Sequence, residues 1–177
     1  SRTLPSDFHR LHVERLASFF IALRDTLSAL APSGRDNPRV VLLSPGPQST
    51  AYFEDAYLAR YLGYTLVEGG DLTVRGGKVL LKTLGGLLPV DAILRRTRDH
   101  DCDPLELRPD SLFGVPGLVQ AARTGQVLVA NALGSGVAEA PALAAFLPEA
   151  CRQLLGEELL LPSVPTWWCG QQQSLHH

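Results

Sequence analysis

Lysine is almost missing from this chain: Lys78 and Lys82 are the only two in 177 residues. Cysteine is scarce too. Cys102, Cys151 and Cys169 are odd in number, widely spaced and form no CxxC pair. That excludes a disulfide scaffold and points to free thiols in a reducing compartment. Charged residues make up only 19% and the formal net charge is -2, so no broad basic face is offered to nucleic acid or to an anionic membrane. No apolar run reaches the ~18 residues that suggest a membrane span. The N-terminus lacks the basic, apolar and small-residue order of a signal peptide. The fingerprints GxGxxG and GxxxxGK[ST] are missing, which disfavours a nucleotide binder acting alone. No internal repeat is visible. These absences predict a cytoplasmic protein with neither nucleic acid nor membrane as partner.

What is present suits a globular domain. Hydrophobic residues reach 45%, enough for a sizeable core. The length fits one domain, or two small ones. The first residue is Ser1, and His176 and His177 read as the start of a purification tag. The chain is therefore expected to be a piece of a larger protein, and those histidines are left out of metal arguments. Composition divides it into a helical arm over 1–38, a main domain over 39–160 and an irregular tail over 161–177.

Apolar spacing predicts a helix over 4–31, with Phe8, Leu11, Leu16, Phe19, Phe20, Ile21, Leu23 and Leu27 on its stripe and Ser6–Asp7 at its cap. A turn-rich breaker follows. Residues 39–44 are a short apolar run, a fully buried strand. The loop of Pro45, Gly46, Pro47, Gln48, Ser49 and Thr50 leads into a helix from Ala51 to Leu62, with Gly63 past its end. A second strand over 64–67 completes a strand–helix–strand unit, whose crossover is expected to be right-handed. Residues 72–75 and 78–82, joined by Gly76–Gly77, predict a β-hairpin. Residues 83–89 are expected only to lead back to the core. A strand over 90–94, a short helix over 118–123, a strand over 127–130 and helical stretches near 141–146 and 148–155 follow. The recurring order of strand, polar loop and helix predicts an α/β fold: a mainly parallel sheet with helices on both faces, a small hairpin insertion and an N-terminal helix.

The strand over 90–94 opens into a segment dense in charge: Arg95, Arg96, Arg98, Asp99, Asp101, Asp103, Glu106, Arg108 and Asp110. Such a segment is either a solvated surface loop or the place where an α/β protein keeps its chemistry. Three loops are expected to converge at one sheet edge: 44–50, 95–103 and 131–136. Ser44, Gln48 and Ser49 precede a helix whose free N–H groups can hold a carboxylate or phosphate, although capping by Ser49 or Thr50 is the plainer use. Glu68 and Asp71 can meet a ligand hydroxyl or amine, or simply build a turn around Gly69–Gly70. Arg95 and Arg96 should point to opposite faces. One can aim a guanidinium at a substrate carboxylate or phosphate, while the other pairs with Asp99 or Asp103. Asn131 and Ser135 can bring backbone N–H groups to an anion, or make a plain helix entry. Asp91, inside a strand, reads as structurally paired.

Other readings lead to expected absences. Asp99, His100, Asp101, Cys102 and Asp103 are adjacent and cannot all face one ion, and no second Cys/His pair supports zinc. Cys102 lacks a defined histidine partner for nucleophilic work, since His9 and His12 fall on the first helix. Cys151 falls on an apolar helical face and is expected in the core. Trp167 and Trp168 read as packing residues more readily than as a stacking platform. Lys78 and Lys82 sit on the expected hairpin.

The order VLLSPGP, YLARYLGYTLVEGGDLTVRGGKV, PVDAILRRTRDHDCDPLELRPDS, GVPGLVQAARTGQVLVANALGSGVAEAPAL and WWCG resembles the bacterial circularly permuted ATP-grasp family, related to glutathionylspermidine and glutathione synthetases. The resemblance runs from about Arg39 to Gly170. It implies an ATP-dependent carboxylate–amine ligase, with ATP and Mg²⁺ serving the parent protein, and it makes 39–160 the Rossmann-like, three-layer pre-ATP-grasp domain. The chain shows no set of nucleotide-clamping lysines and acidic metal ligands. It is therefore expected to be inactive alone, to bind no cofactor tightly, and to supply a surface for a small-molecule or peptide substrate. Its partners would be the remaining ATP-grasp segments of the parent chain. The contrasting expectation is a non-catalytic α/β interaction or assembly module.

Overall fold

A computed structural model describes residues 10–13, 16–172 and 175. The chain forms two compact units, Ser1–Asn131 and Ala132–His177.

The first unit is built on a four-stranded parallel sheet of β1 (Val40–Leu43), β2 (Thr65–Val67), β6 (Ala92–Arg95) and β7 (Leu128–Ala130), in the order β2-β1-β6-β7. β1 takes an inner place because its four residues, Val-Val-Leu-Leu, are apolar on both faces, as an inner parallel strand requires. All four are buried. Helix α1 (Ala17–Ala29) precedes β1. Helix α2 (Tyr52–Leu62) links β1 to β2 and ends on Gly63 in the left-handed conformation, φ 75°. Its line Asp55, Ala59 and Leu62 is buried at i, i+4 and i+7 spacing. Helix α3 (Leu118–Arg123) comes between β6 and β7. The α/β architecture is the one the alternating pattern predicts.

Three local expectations are corrected. The strand expected over 90–94 begins at Ala92. Val90 donates its N–H to Val79 O (2.9 Å), and Asp91 takes the Arg39 N–H on its carboxylate (2.7 Å), so these two residues turn the chain between sheets. The expected hairpin is a three-stranded antiparallel sheet of β3 (Leu72–Arg75), β4 (Lys78–Thr83) and β5 (Gly86–Pro89). Pairing of Thr83 with Gly86 leaves Leu84 and Gly85 as a second two-residue turn, and Pro89 is tolerated because β5 is an edge strand. The helix expected over 4–31 is interrupted: among the described residues Arg10 is helical, and helix resumes only at Ala17. His12 has φ 48°, a left-handed conformation that interrupts helical backbone. The Ser6–Asp7 cap lies outside the described residues.

Asp91 is buried and also meets Arg35 at 3.5 Å, the structural pairing expected of it. Phe20 of α1 packs on Tyr61 of α2 with ring centroids 4.6 Å apart. The second unit holds two 3₁₀ turns, Ser135–Val137 and Pro141–Ala145, and helix α4 (Leu147–Leu155). None of these elements has a buried residue. Cys151 is accordingly only half-buried, not a core residue. Trp168 packs on Phe146 at 5.7 Å. Among the described residues no helix is long and apolar enough to cross a membrane.

Candidate functional site

The strand order creates one topological switch point. From β1 the chain leaves to β2 on one side, then returns to β6 on the other. The loops after β1 and β6 therefore diverge and open a crevice at the carboxyl ends of these strands, where open α/β sheets bind ligands. The residues that follow the two strands are Ser44 and Arg96, and both are tied to the sheet by backbone. Ser44 N–H donates to Val67 O and Arg96 N–H to Leu43 O, each at 2.9 Å.

A buried carboxylate joins them. Asp55, in the first turn of α2, is 1% exposed. Its Oδ2 accepts from the Ser44 hydroxyl at 2.8 Å, and its Oδ1 accepts from Arg96 Nε at 2.8 Å. Ser44 Oγ in turn accepts the Gly46 N–H at 3.2 Å. The pairing fixes the guanidinium through Nε alone. Arg96 remains 40% exposed, and among the described residues no protein group takes its Nη1 or Nη2. The Nη1 and Nη2 donors are left, and such a pair matches a planar oxyanion. Asp55 escaped the motif reading. Its signal was a carboxylate on the same helical line as Ala59 and Leu62, where a charge must find a partner.

Arg95 does the opposite work. Its side chain is 7% exposed and pairs with Asp99 at 2.6 Å. It also donates to Asn131 O (3.0 Å) and Thr97 O (2.6 Å). Adjacent strand residues face opposite sides, so one arginine ties the charged loop to the end of β7 while the other faces solvent. Asp103 is fully buried and receives three backbone N–H groups: Leu105 (2.9 Å) and Gly117 (3.1 Å) on Oδ1, and Val119 (2.9 Å) on Oδ2. It caps α3 from a distance and offers no free oxygen edge to solvent.

Glu68 and Asp71 form a capping box around the 3₁₀ turn Gly69–Asp71, with Glu68 N–H donating to Asp71 Oδ2 at 2.9 Å. Both residues are exposed. The Glu68 carboxylate lies over Gly46, φ 90°, where an added Cβ would fall 2.7 Å from Oε2. Gly46 is thus required by its backbone conformation, while the carboxylate above it is the far end of a flexible side chain that can shift. Gln48 is exposed, and Ser49 Oγ accepts the Ala51 N–H at 3.2 Å, a local turn. Asn131 is exposed at the end of the first unit. Ser135 opens a 3₁₀ turn of the second unit. The first unit therefore brings together Ser44 and Arg96, with Asp55 as their hidden link, and sets Glu68 beside Gly46.

The rest of the charged loop is folded on itself. Asp101 is buried and pairs with Arg108 at 2.7 Å. Cys102 is fully buried, and its Sγ donates to Arg98 O at 3.2 Å. Burial pushes this thiol up from its ordinary 9.0 to about 11. Iodoacetamide at pH 8 is therefore expected to label the exposed Cys169 and the half-buried Cys151 well before Cys102, as read by peptide mass spectrometry. The folded state holds the Cys102 proton after the unfolded state has lost it. Stability is consequently expected to fall as pH rises from about 9 to about 11, and Cys102→Ser to flatten that fall.

The family described as circularly permuted ATP-grasp type 2 matches residues 1–177. The chain belongs to the circularly permuted ATP-grasp family. It is 44% identical over 177 residues to the uncharacterized protein Rv2567 of Mycobacterium tuberculosis, covering 100% of this chain and 20% of that protein. It is 42% identical over 175 residues to the uncharacterized protein sll0335 of Synechocystis, covering 99% of this chain and 36% of that protein. To the uncharacterized protein ML0605 of Mycobacterium leprae it is 38% identical over 169 residues, 96% of this chain and 30% of that protein. The chain thus spans a fifth to about a third of the length of these curated relatives.

ATP-grasp proteins in general bind ATP with Mg²⁺. Among the described residues of this chain, no group of three or more His, Cys, Asp or Glu side chains is placed to hold a metal ion. Lys82 donates its ammonium to Gly70 O at 2.7 Å, and Lys78 opens β4 on the antiparallel sheet. At the switch point, Arg96 is held on Asp55 through Nε.

Proposed function

We propose that this chain is the substrate-holding, Rossmann-like part of an ATP-dependent carboxylate–amine ligase, and that further ATP-grasp segments of a longer protein carry the nucleotide. The observation that supports it is Arg96, locked by buried Asp55 at the switch point with two donors left over. In such a ligase ATP phosphorylates a carboxylate, and an amine attacks the acyl phosphate. An amide forms, and ADP and inorganic phosphate leave. A fixed guanidinium would orient an acid substrate for that sequence at little reorganisation cost. The three free thiols and the modest net charge support a cytoplasmic setting without nucleic acid or membrane as partner.

The test is ADP release by the full-length protein over a panel of acids and amines. Release should require both an acid and an amine. Arg96→Ala should lower kcat/KM by about tenfold or more, the loss of one charge-assisted bidentate contact. ATP turnover indifferent to any acid or amine would sink the reading. Titration of ATP–Mg²⁺ into this chain alone should give no micromolar binding isotherm. A non-catalytic assembly module is the second reading, favoured by the apolar side chains left exposed in the second unit: Leu154, Leu155, Leu160 and Leu161. Release dependent on both an acid and an amine would exclude it.

A further inference from the structure

We infer that the chain holds a second ligand site, for one small oxyanion, at the amino end of the parallel sheet, where Arg35 and Lys78 line a common cavity. The inference is independent of the ligase reading, which rests on the opposite end of that sheet.

The cavity comes first. A space of about 260 Å³ is lined by Ser33, Arg35, Lys78, Asp91 and Gln126, among others. Every lining residue belongs to the first unit. Asp91 stands just before β6 and Gln126 just ahead of β7. The cavity therefore lies at the amino ends of those strands, away from the crevice of Ser44 and Arg96. Its walls are tied together by backbone. Val90 N–H donates to Val79 O at 2.9 Å, and Leu128 N–H donates to Asp91 O at 3.1 Å. Lys78 and Asp91 are thus the chain neighbours of a hydrogen-bonded pair, and Arg35 Nη1 stands 3.5 Å from Asp91 Oδ2. Two cations and one carboxylate share this corner of the fold.

Charge selects an anion. Arg35 and Lys78 against Asp91 leave the lining with one net positive charge. Asp91 is buried, and its Oδ2 already takes the Arg39 N–H at 2.7 Å. The 3.5 Å approach of Arg35 to the same oxygen is long for a hydrogen bond, and the Arg35 side chain stays 49% exposed. Among the described residues no protein acceptor takes its Nε or Nη2, and none takes the Lys78 ammonium. Lys78 also stands directly opposite Arg75 in the β3–β4 register. Like charges in that position destabilise a strand pair, and an anion beside Lys78 offsets the repulsion.

Size limits the ligand. Sites for drug-sized molecules hold about 300–1,000 Å³, and this one is smaller. A carboxylate or phosphate group with a few further atoms fits. A whole nucleoside triphosphate is too large to seat in it. Carboxylate and phosphate share the chemistry that a guanidinium and an ammonium recognise.

The experiment acetylates lysines in the full-length protein with an amine-reactive ester and reads each position by peptide mass spectrometry. Acetate, inorganic phosphate, chloride and ATP–Mg²⁺ are compared at matched ionic strength. Lys82, the other lysine of this chain, is the reference, because it shares β4 and does not line the cavity. Two charge-assisted contacts suit a Kd of about 1 mM. About 10 mM acetate or phosphate should then slow acetylation of Lys78 about tenfold and leave Lys82 unchanged. Arg35→Gln, at a half-exposed position, should remove most of that protection. Arg24→Gln, which deletes the same charge outside the cavity, should keep it. Protection by only one of the two anions names the group, carboxylate or phosphate, and keeps the site. Lys78 acetylated equally fast with and without both anions overturns the inference. So does equal slowing of Lys78 and Lys82, which would be a general salt effect. Protection of Lys78 by chloride or by ATP–Mg²⁺, or full protection in Arg35→Gln, overturns it too. No arm reads ADP release, so failure of the ligase reading leaves this result standing, and the reverse holds as well.

Discussion

Asp103→Ala should destabilise the first unit by about 4 kcal/mol, the largest effect of any single side-chain truncation in the charged loop. The carboxylate is fully buried and holds three backbone donors, Leu105, Gly117 and Val119. Hydrogen bonds to a charged acceptor contribute about 1.5–3 kcal/mol each, and they do not add fully. Alanine would leave all three N–H groups without their acceptor and empty a fully buried side-chain position. Two of them open α3, so that helix should lose its start. Asp103→Asn should recover roughly half. An amide oxygen can still serve Leu105 and Gly117, but the amide nitrogen would face Val119 N–H, donor against donor. Hydrogen exchange at the Gly117 and Val119 amides, read alongside thermal unfolding, checks this. Unchanged protection in the alanine variant would show that the carboxylate does not hold α3.

Gly69→Ala should cost about 3 kcal/mol through overpacking alone. A Cβ at Gly69 would fall 2.6 Å from Phe113 O, and one at Gly114 would fall 2.7 Å from Cys102 O. Three stretches of backbone are therefore stacked without side chains between them: the turn after β2, Phe113–Gly114, and Asp101–Cys102. Backbone cannot swing aside as a flexible side chain can, so the strain must spread into the sheet. Gly70→Ala is the control, because nothing lies within 4 Å of its added Cβ. It should unfold within a degree or two of the parent protein, while Gly69→Ala should melt several degrees lower. Equal melting temperatures for the two variants would refute the stacking argument.

The parallel sheet was legible because its strands are short apolar runs bounded by turn residues, and Val40–Leu43 needs no other explanation. β5 was missed because Gly-Leu-Leu-Pro has little β-propensity and is largely exposed. Its only signal was a second Gly-Gly pair, Gly85–Gly86, which straddles the end of the turn and the start of the strand. The break near His12 was illegible because the apolar stripe continues through it. Arg95 and Arg96 could be assigned to opposite faces from the pleat, but not sorted, since nothing in the sequence says which face leads to Asp99 and which to Asp55. Asp103 was grouped with possible ligand contacts. Its true surroundings are backbone N–H groups up to 16 residues away in sequence, which no local pattern reveals.

The pair Arg95–Arg96 has a consequence for how β6 finds its place. A strand that pairs one residue out of step turns every side chain over. For an all-apolar strand between two neighbours that error is cheap, since both faces are greasy. Here it would send Arg96 toward the carbonyls that Arg95 serves and leave Asp55 buried with no guanidinium. An uncompensated buried charge costs about 3–5 kcal/mol. Arg95, Arg96 and Asp55 therefore act as a folding checksum: the two charges that follow the apolar run reject the wrong alignment of β6 against β1 and β7.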